Sequence, residues 1–177
     1  MTKRLMLICG SLRSGSTNEA LLRTVASLLP SDVVADFYDG MSALPHFNPD
    51  DDQDPLPPAV ADLRSRIATA DAILFSTPEY AGAMPGALKN LLDWTVGGVE
   101  TTDKPAAWIN ISTSPGGAAN THESLTTVLR YTGIDVIDAA CVRIPVHRDA
   151  IGANGLIDDA SIEVEILGGV TILLAAT

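Results

Sequence analysis

Apolar residues in this chain fall into short unbroken runs, separated by polar stretches rich in glycine and proline. The runs Leu5 to Cys9, Val33 to Tyr38, Ala72 to Ser76 and Ala106 to Ile111 read as strands. Ala72-Ile73-Leu74-Phe75-Ser76 is continuous, the pattern of a strand buried on both faces of a parallel sheet. Between the runs the period changes to that of a helix. Leu21, Leu22, Val25, Leu28 and Leu29 share one face, as do Val60, Leu63 and Ile67 in a helix predicted over 59–69. Leu88, Leu91 and Leu92 form an inward face behind Pro85, which suits a first helical position. Leu125, Val128 and Leu129 mark a fourth helix, with Asn120 and Glu123 as its capping pair and Gly133 as its stop. A fifth strand is predicted at 135–139, continuing through Cys141 to Ile144. The closing stretch 159–175 is predicted as a helix, although Ile162 to Ile166 alternates like a strand and Gly168-Gly169 interrupts it.

Strands alternating with helices predict an α/β chain: a three-layer α/β/α domain spanning residues 1–177 around a five-stranded parallel sheet. The economical strand order is 2-1-3-4-5, which places strands one, three and four side by side. The loops after those strands are Gly10 to Ala20, Thr77 to Pro85 and Ser112 to Gly117, each polar or small and each containing glycine. In that order all three converge where the winding reverses, the place where such sheets bind ligands.

The first loop, GSLRSGSTNEA, holds Ser11, Ser14, Ser16, Thr17, Asn18 and Arg13 beside a helix start. Free N–H groups at a helix N-terminus favour a phosphate. Ser16 and Glu19 also form an S-x-x-E capping box. An NTP-hydrolysing P-loop needs a lysine where Ser16 stands, and a dinucleotide fingerprint needs glycine where Leu12 stands. What remains is a single terminal phosphate, the way a mononucleotide such as FMN is held.

Charge and composition narrow the partners. The formal net charge is −11, which argues against nucleic acid and anionic membrane surfaces. No stretch is long and apolar enough for a membrane span, so no membrane partner is expected. Cys9 and Cys141 lie in apolar runs without metal-ligand spacing and read as core residues in a reducing, cytoplasmic setting. The acidic run Asp50-Asp51-Asp52 with Asp54 reads as solvated surface, and no metal site is expected. Trp94 reads as core or subunit interface, and His122 as a capping or exposed residue. His46 and His147 have no evident partners.

The segments GSLRSGSTN at 10–18, PEYAGAMPGALKNLLDW at 78–94 and the Ser/Gly loop at 112–117 together resemble the NADPH-dependent FMN reductases of flavodoxin-like fold. The resemblance covers about 130 residues in order. It implies that Ser11, Arg13, Ser16 and Asn18 hold the FMN phosphate with the Thr17 N–H near it. Pro78, Glu79, Tyr80, Ala81 and Gly82 would line the isoalloxazine ring, and Ser112 with Gly116-Gly117 would close its pyrimidine side. The implied reaction is ping-pong hydride transfer from NADPH or NADH to bound FMN. From there hydride passes to a small-molecule acceptor such as a quinone, an azo dye, chromate or free flavin. No protein acid or base is nominated, and Tyr80 is expected to be a wall of the site. A homodimer or homotetramer is also implied. The alternative is a flavodoxin-type electron carrier or a non-catalytic flavin-binding protein. The acidic charge is compatible with a carrier, whereas PEYAGAMPGALKN resembles the reductases. Three places depart from the family's common pattern: Ala81 stands where asparagine follows PEY, Ala83 where serine precedes the PG, and Ala118-Ala119-Asn120-Thr121-His122 where a basic residue often follows the glycines of the third loop.

Overall fold

The computed structural model describes residues 2–113 and 116–177. Ser114 and Pro115 of the third loop lie outside the described residues. The strands are β1 (Lys3–Cys9), β2 (Val33–Tyr38), β3 (Ala72–Ser76), β4 (Pro105–Asn110), β5 (Asp135–Val136) and β6 (Val142–Arg143). The helices are α1 (Thr17–Leu28), α2 (Pro58–Thr69), α3 (Gly86–Asp93), α4 (Ala119–Tyr131) and α5 (Ala160–Ala175). All pairings between strands are parallel, in the order β2-β1-β3-β4-β5, with β6 also paired to β4. This is the flavodoxin-like three-layer α/β/α fold.

Alternation along β1 builds both layers. Met6 and Ile8 face a core completed by Ile73, Phe75, Leu63, Leu91 and Leu125, beneath α2, α3 and α4. Leu5 and Leu7 face the other core, with Leu21, Leu22, Leu74, Ile109 and Ile166, beneath α1 and α5. Every residue of β3 is buried, as its unbroken apolar run predicts. Each fully buried leucine contributes about 2 kcal/mol of transfer free energy.

Several expectations are corrected. The fifth strand is not continuous: a 3₁₀ turn over Asp138–Ala140 separates β5 from β6, and each short piece pairs with a different part of β4. Pro85 is the N-cap of α3, with Gly86 as its first residue. Asn120 does not cap α4. It lies inside the helix, and the N-cap is Ala118, held at φ 59° with no side-chain capping bond. The alternating stretch in 162–166 belongs to α5, capped by Asp159, whose carboxylate accepts from the Ser161 and Ile162 amides. Gly133 does end α4, at φ +79°.

The acidic run is only partly surface. Asp50, Asp51 and Asp54 are exposed, but Asp52 is buried against Arg64, whose guanidinium donates to Asp52 Oδ1 at 2.6 Å and to the Trp94 carbonyl at 2.9 Å. Gly97 makes room for that pair: a Cβ there would come within 2.0 Å of Asp52 Oδ2. Trp94 is core, with 0% exposure, and its Nε1 donates to the Pro45 carbonyl at 2.8 Å. Cys9 and Cys141 are half-buried free thiols packed against the cores. Burial pushes the Cys9 thiol up and the Cys141 thiol up to about 11, so neither is a poised nucleophile.

Candidate functional site

A crevice of about 630 Å³ opens at the carboxyl ends of the parallel strands, a size that suits a small-molecule cofactor. Four strand-to-helix loops line it. Thr17 and Asn18 come from the start of α1, and Thr77, Pro78 and Glu79 from the loop after β3. Asn110, Ile111, Ser112, Thr113, Gly117 and Ala118 come from β4 and the loop that follows, and Val146, His147 and Arg148 from the chain beyond β6.

The α1 end is built by its cap. Ser16 is 2% exposed, and its hydroxyl accepts from the Glu19 amide at 3.1 Å. Glu19 reaches back one residue further than a standard capping box, to the Gly15 amide at 3.0 Å. The Thr17 and Asn18 amides have no protein partner among the described residues. Asn18 is fixed from below, where Ser76 Oγ donates to its Oδ1 at 2.9 Å and ties α1 to the end of β3. Gly10 permits the close approach of these two strand ends, since a Cβ there would fall 2.1 Å from Thr77 Oγ1.

The second loop turns on a tight hairpin. Tyr80 N–H donates to the Ala83 carbonyl at 2.9 Å and Ala83 N–H returns to Tyr80 at 3.1 Å. The two central residues, Ala81 and Gly82, have φ of 53° and 75°. Positive φ at both is the type I′ pattern, which asparagine and glycine adopt easily and alanine does not. Glu79 leaves this loop to accept from the Thr121 amide in the first turn of α4.

Asn110 organises the third loop. Its Nδ2 donates to the Gly117 carbonyl and its Oδ1 accepts from the Ser112 amide, both at 2.9 Å. Gly116 at φ +72° and Ala118 at φ +59° then turn the chain into α4. His122 is 1% exposed, contrary to the expectation of a capping or exposed residue. It packs on Trp108 with ring centroids 4.3 Å apart, and its Nδ1 lies 2.5 Å from the Ala118 carbonyl. A carbonyl only accepts, so Nδ1 carries the proton, and Nε2 is left without a partner among the described residues. Burial lowers the His122 pKa, and the Arg143 charge adds to the effect against the opposing Ala118 bond.

Of the residues singled out from the sequence, Thr17, Asn18, Pro78, Glu79, Ser112 and Gly117 line the crevice. Ser11, Arg13, Ser16, Tyr80, Ala81, Gly82 and Gly116 stand outside that lining. Ser11 accepts from the Arg13 amide at 3.2 Å, and Tyr80 is 53% exposed. Asn110, Val146, His147 and Arg148 were missed. Their signal was positional: Asn110 ends β4, and the other three follow the last strand at the same end of the sheet.

The donor set fits a flavin mononucleotide. Unpartnered helix amides, with Arg13 earlier in the same loop, suit a phosphate monoester, and the apolar Pro78 and Ile111 among amide and hydroxyl groups suit a planar polar ring. Fold and crevice thus define a flavodoxin-like nucleotide-binding protein.

Residues 3–148 match the family model described as NADPH-dependent FMN reductase, and the chain belongs to that family. An NAD(P)H-dependent FMN reductase of Pseudomonas aeruginosa is 37% identical over 159 residues, covering 88% of this chain and 85% of that protein. A 2-hydroxy-1,4-benzoquinone reductase of a Burkholderia species is 37% identical over 158 residues, with 88% and 85% covered. In structure the chain is similar to FerB, a flavoenzyme NAD(P)H:(acceptor) oxidoreductase from Paracoccus denitrificans. The TM-score is 0.85 at 29% identity, with 98% of both chains covered. The chain is an enzyme of this reductase type.

Proposed function

We propose that the protein is an FMN-dependent NAD(P)H oxidoreductase whose acceptor is a quinone-type small molecule, with NADPH as the expected donor. The observation that carries this reading is the convergence of four strand-to-helix loops on one crevice, with the unpartnered Thr17 and Asn18 amides at one end. The kinship to a benzoquinone reductase and to an NAD(P)H:(acceptor) oxidoreductase supports the acceptor class.

FMN held in this crevice would supply the redox chemistry between the nicotinamide donor and the acceptor. The protein's part is to bind and orient. The Thr17 and Asn18 amides, with Ser11 and Arg13 beside them, would hold the phosphate, while Ser16 shapes the turn through its cap. Pro78, Glu79 and the Tyr80 to Gly82 hairpin would wall one side of the ring, and Ser112, Gly116 and Gly117 the other. Oriented N–H groups in these turns would offset negative charge on a reduced ring. No side chain is required as an acid or base, and Tyr80 acts as a wall.

Among the described residues no helix is long and apolar enough to cross a membrane. Free half-buried thiols support a reducing, cytoplasmic setting. A homo-oligomer, a dimer or tetramer, would cover the exposed Tyr80 of the crevice hairpin.

The test is the visible spectrum of the purified protein after FMN is added and the excess removed, followed by anaerobic titration with NADPH. A retained flavin spectrum that bleaches within turnover times is the expected result. A spectrum that stays yellow would sink the reductase reading. Riboflavin should bind more weakly than FMN, and Arg13→Ala should narrow that difference.

A further inference from the structure

The chain has 22 acidic residues against 11 lysines and arginines, so a cation without an acidic partner is unusual in it. Arg4, Arg23, Arg64, Arg66, Arg130 and Lys89 each pair with a carboxylate. Lys3 donates to the Leu174 carbonyl and Lys104 to the Ala70 carbonyl. Among the described residues Arg13, Arg143 and Arg148 make no ion pair and donate no side-chain hydrogen bond. All three belong to the carboxyl end of the sheet: Arg13 follows β1, Arg143 ends β6 and Arg148 lies beyond it.

Arg148 lines the crevice, and its backbone is anchored there. Ile144 N–H donates to the Asn110 carbonyl at 2.7 Å and Val146 N–H to the Ile111 carbonyl at 3.2 Å. Ile144 and Val146 are buried while Arg143, Pro145 and His147 alternate outward, which is strand-like register carried past β6. The other titratable groups on the lining are His147 and Glu79, and Glu79 is committed to the Thr121 amide. Arg148 is therefore the cation among the described lining residues, with its five donors unspent.

Asn18 is tied to the end of β3, two strand spacings or roughly 10 Å from the end of β6, a span longer than one phosphate bridges. The α1 amides and Arg13 account for the FMN phosphate. A quinone brings no charge, whereas a nicotinamide dinucleotide brings a pyrophosphate and, in NADPH, a 2′-phosphate. Resting on the reductase reading above, we propose that Arg148 forms the subsite for a phosphate of the nicotinamide dinucleotide. A planar guanidinium suits bidentate phosphate recognition.

The test uses the FMN-loaded protein with Arg148→Ala and Arg148→Lys. KM is measured for NADPH, for NADH and for an uncharged benzoquinone, and calorimetry gives Kd for 2′,5′-ADP without turnover. Arg148→Ala should raise the NADPH KM and weaken 2′,5′-ADP about ten-fold, the effect of losing a charged hydrogen bond. The benzoquinone KM and the FMN content should not move. Arg148→Lys should recover part of the loss, because it keeps the charge and loses the fork. A rise for NADPH alone assigns the 2′-phosphate, and an equal rise for NADH assigns the pyrophosphate; both support the subsite. Unchanged donor KM and 2′,5′-ADP affinity with FMN retained overturns the subsite and leaves the reductase reading standing. FMN lost from the variant overturns it by giving Arg148 to the cofactor. Wild-type protein that neither retains FMN nor is reduced by NADPH overturns the reductase reading itself.

Discussion

The Glu79 carboxylate accepts a hydrogen bond from the Thr121 amide at 3.2 Å, joining the loop after β3 to the first turn of α4. A negative charge at a helix N-terminus is favourable twice, as a hydrogen-bond acceptor and against the helix dipole. Because α4 has no side-chain cap of its own, Glu79 supplies from another loop what Ala118 lacks. Glu79→Ala should cost about 1 kcal/mol in urea denaturation of the flavin-free protein and should weaken FMN in a fluorescence titration. Glu79→Gln keeps an acceptor oxygen and should lose less than half as much. Equal losses in the two variants would show that charge, and not the bond, is what matters.

The hairpin that places Tyr80 has alanine in a left-handed conformation, with Ala81 at φ 53°. An L-residue with a Cβ is disfavoured there by roughly 1 kcal/mol or more, and glycine or asparagine is not. Ala81→Gly should therefore raise stability by about 1 kcal/mol, and Ala81→Asn by a smaller amount. Thermal unfolding of both variants checks this. A loss of stability in both would mean that the hairpin does not keep this backbone in solution.

Arg64 and Asp52 are buried together, each side chain 9% exposed. Removing one partner strands a desolvated charge, so Asp52→Ala should cost about 3 kcal/mol or more. Asp50→Ala and Asp51→Ala, on the same run but exposed, should each stay within about 0.5 kcal/mol of the parent. Urea midpoints of the three variants separate the buried acid from its neighbours. A flat response across all three would refute the buried pair.

His122 is held neutral by burial, with its folded pKa below the ordinary 6.5. A depressed pKa means that the unfolded chain binds more protons below 6.5, so stability is present above that value and falls as the pH drops toward the folded pKa. The slope from one such group is up to about 1.4 kcal/mol per pH unit. His122→Asn should flatten the fall between pH 6.5 and the onset of carboxylate titration, as read by denaturation at several pH values. An unchanged slope would assign the acid sensitivity to other groups.

Legibility along the chain was uneven, and residues show why. The unbroken run 72–76 and the faces Leu21/Leu22/Val25 and Leu88/Leu91/Leu92 announced their elements, because burying apolar surface needs the right period and little else. The fifth strand was misread, since its 3₁₀ break at Asp138–Ala140 serves two separate stretches of β4 that no local pattern records. The same reason hid Asp52, whose surface-like run conceals a partner twelve residues on in α2 and a glycine at 97.

What the sequence by itself determined is the fold and the cap of its first helix. Period sets the elements, alternation sets a doubly covered parallel sheet, and Ser16 sets a capped helix start whose first two amides stay without a partner among the described residues. Only the tertiary structure decided which distant groups meet: Glu79 with Thr121, Ser76 with Asn18, Asn110 with Gly117, and Arg148 on the crevice. Those contacts depend on how strand ends are aligned across the sheet, and alignment is set by packing of whole layers, which no short stretch of residues carries.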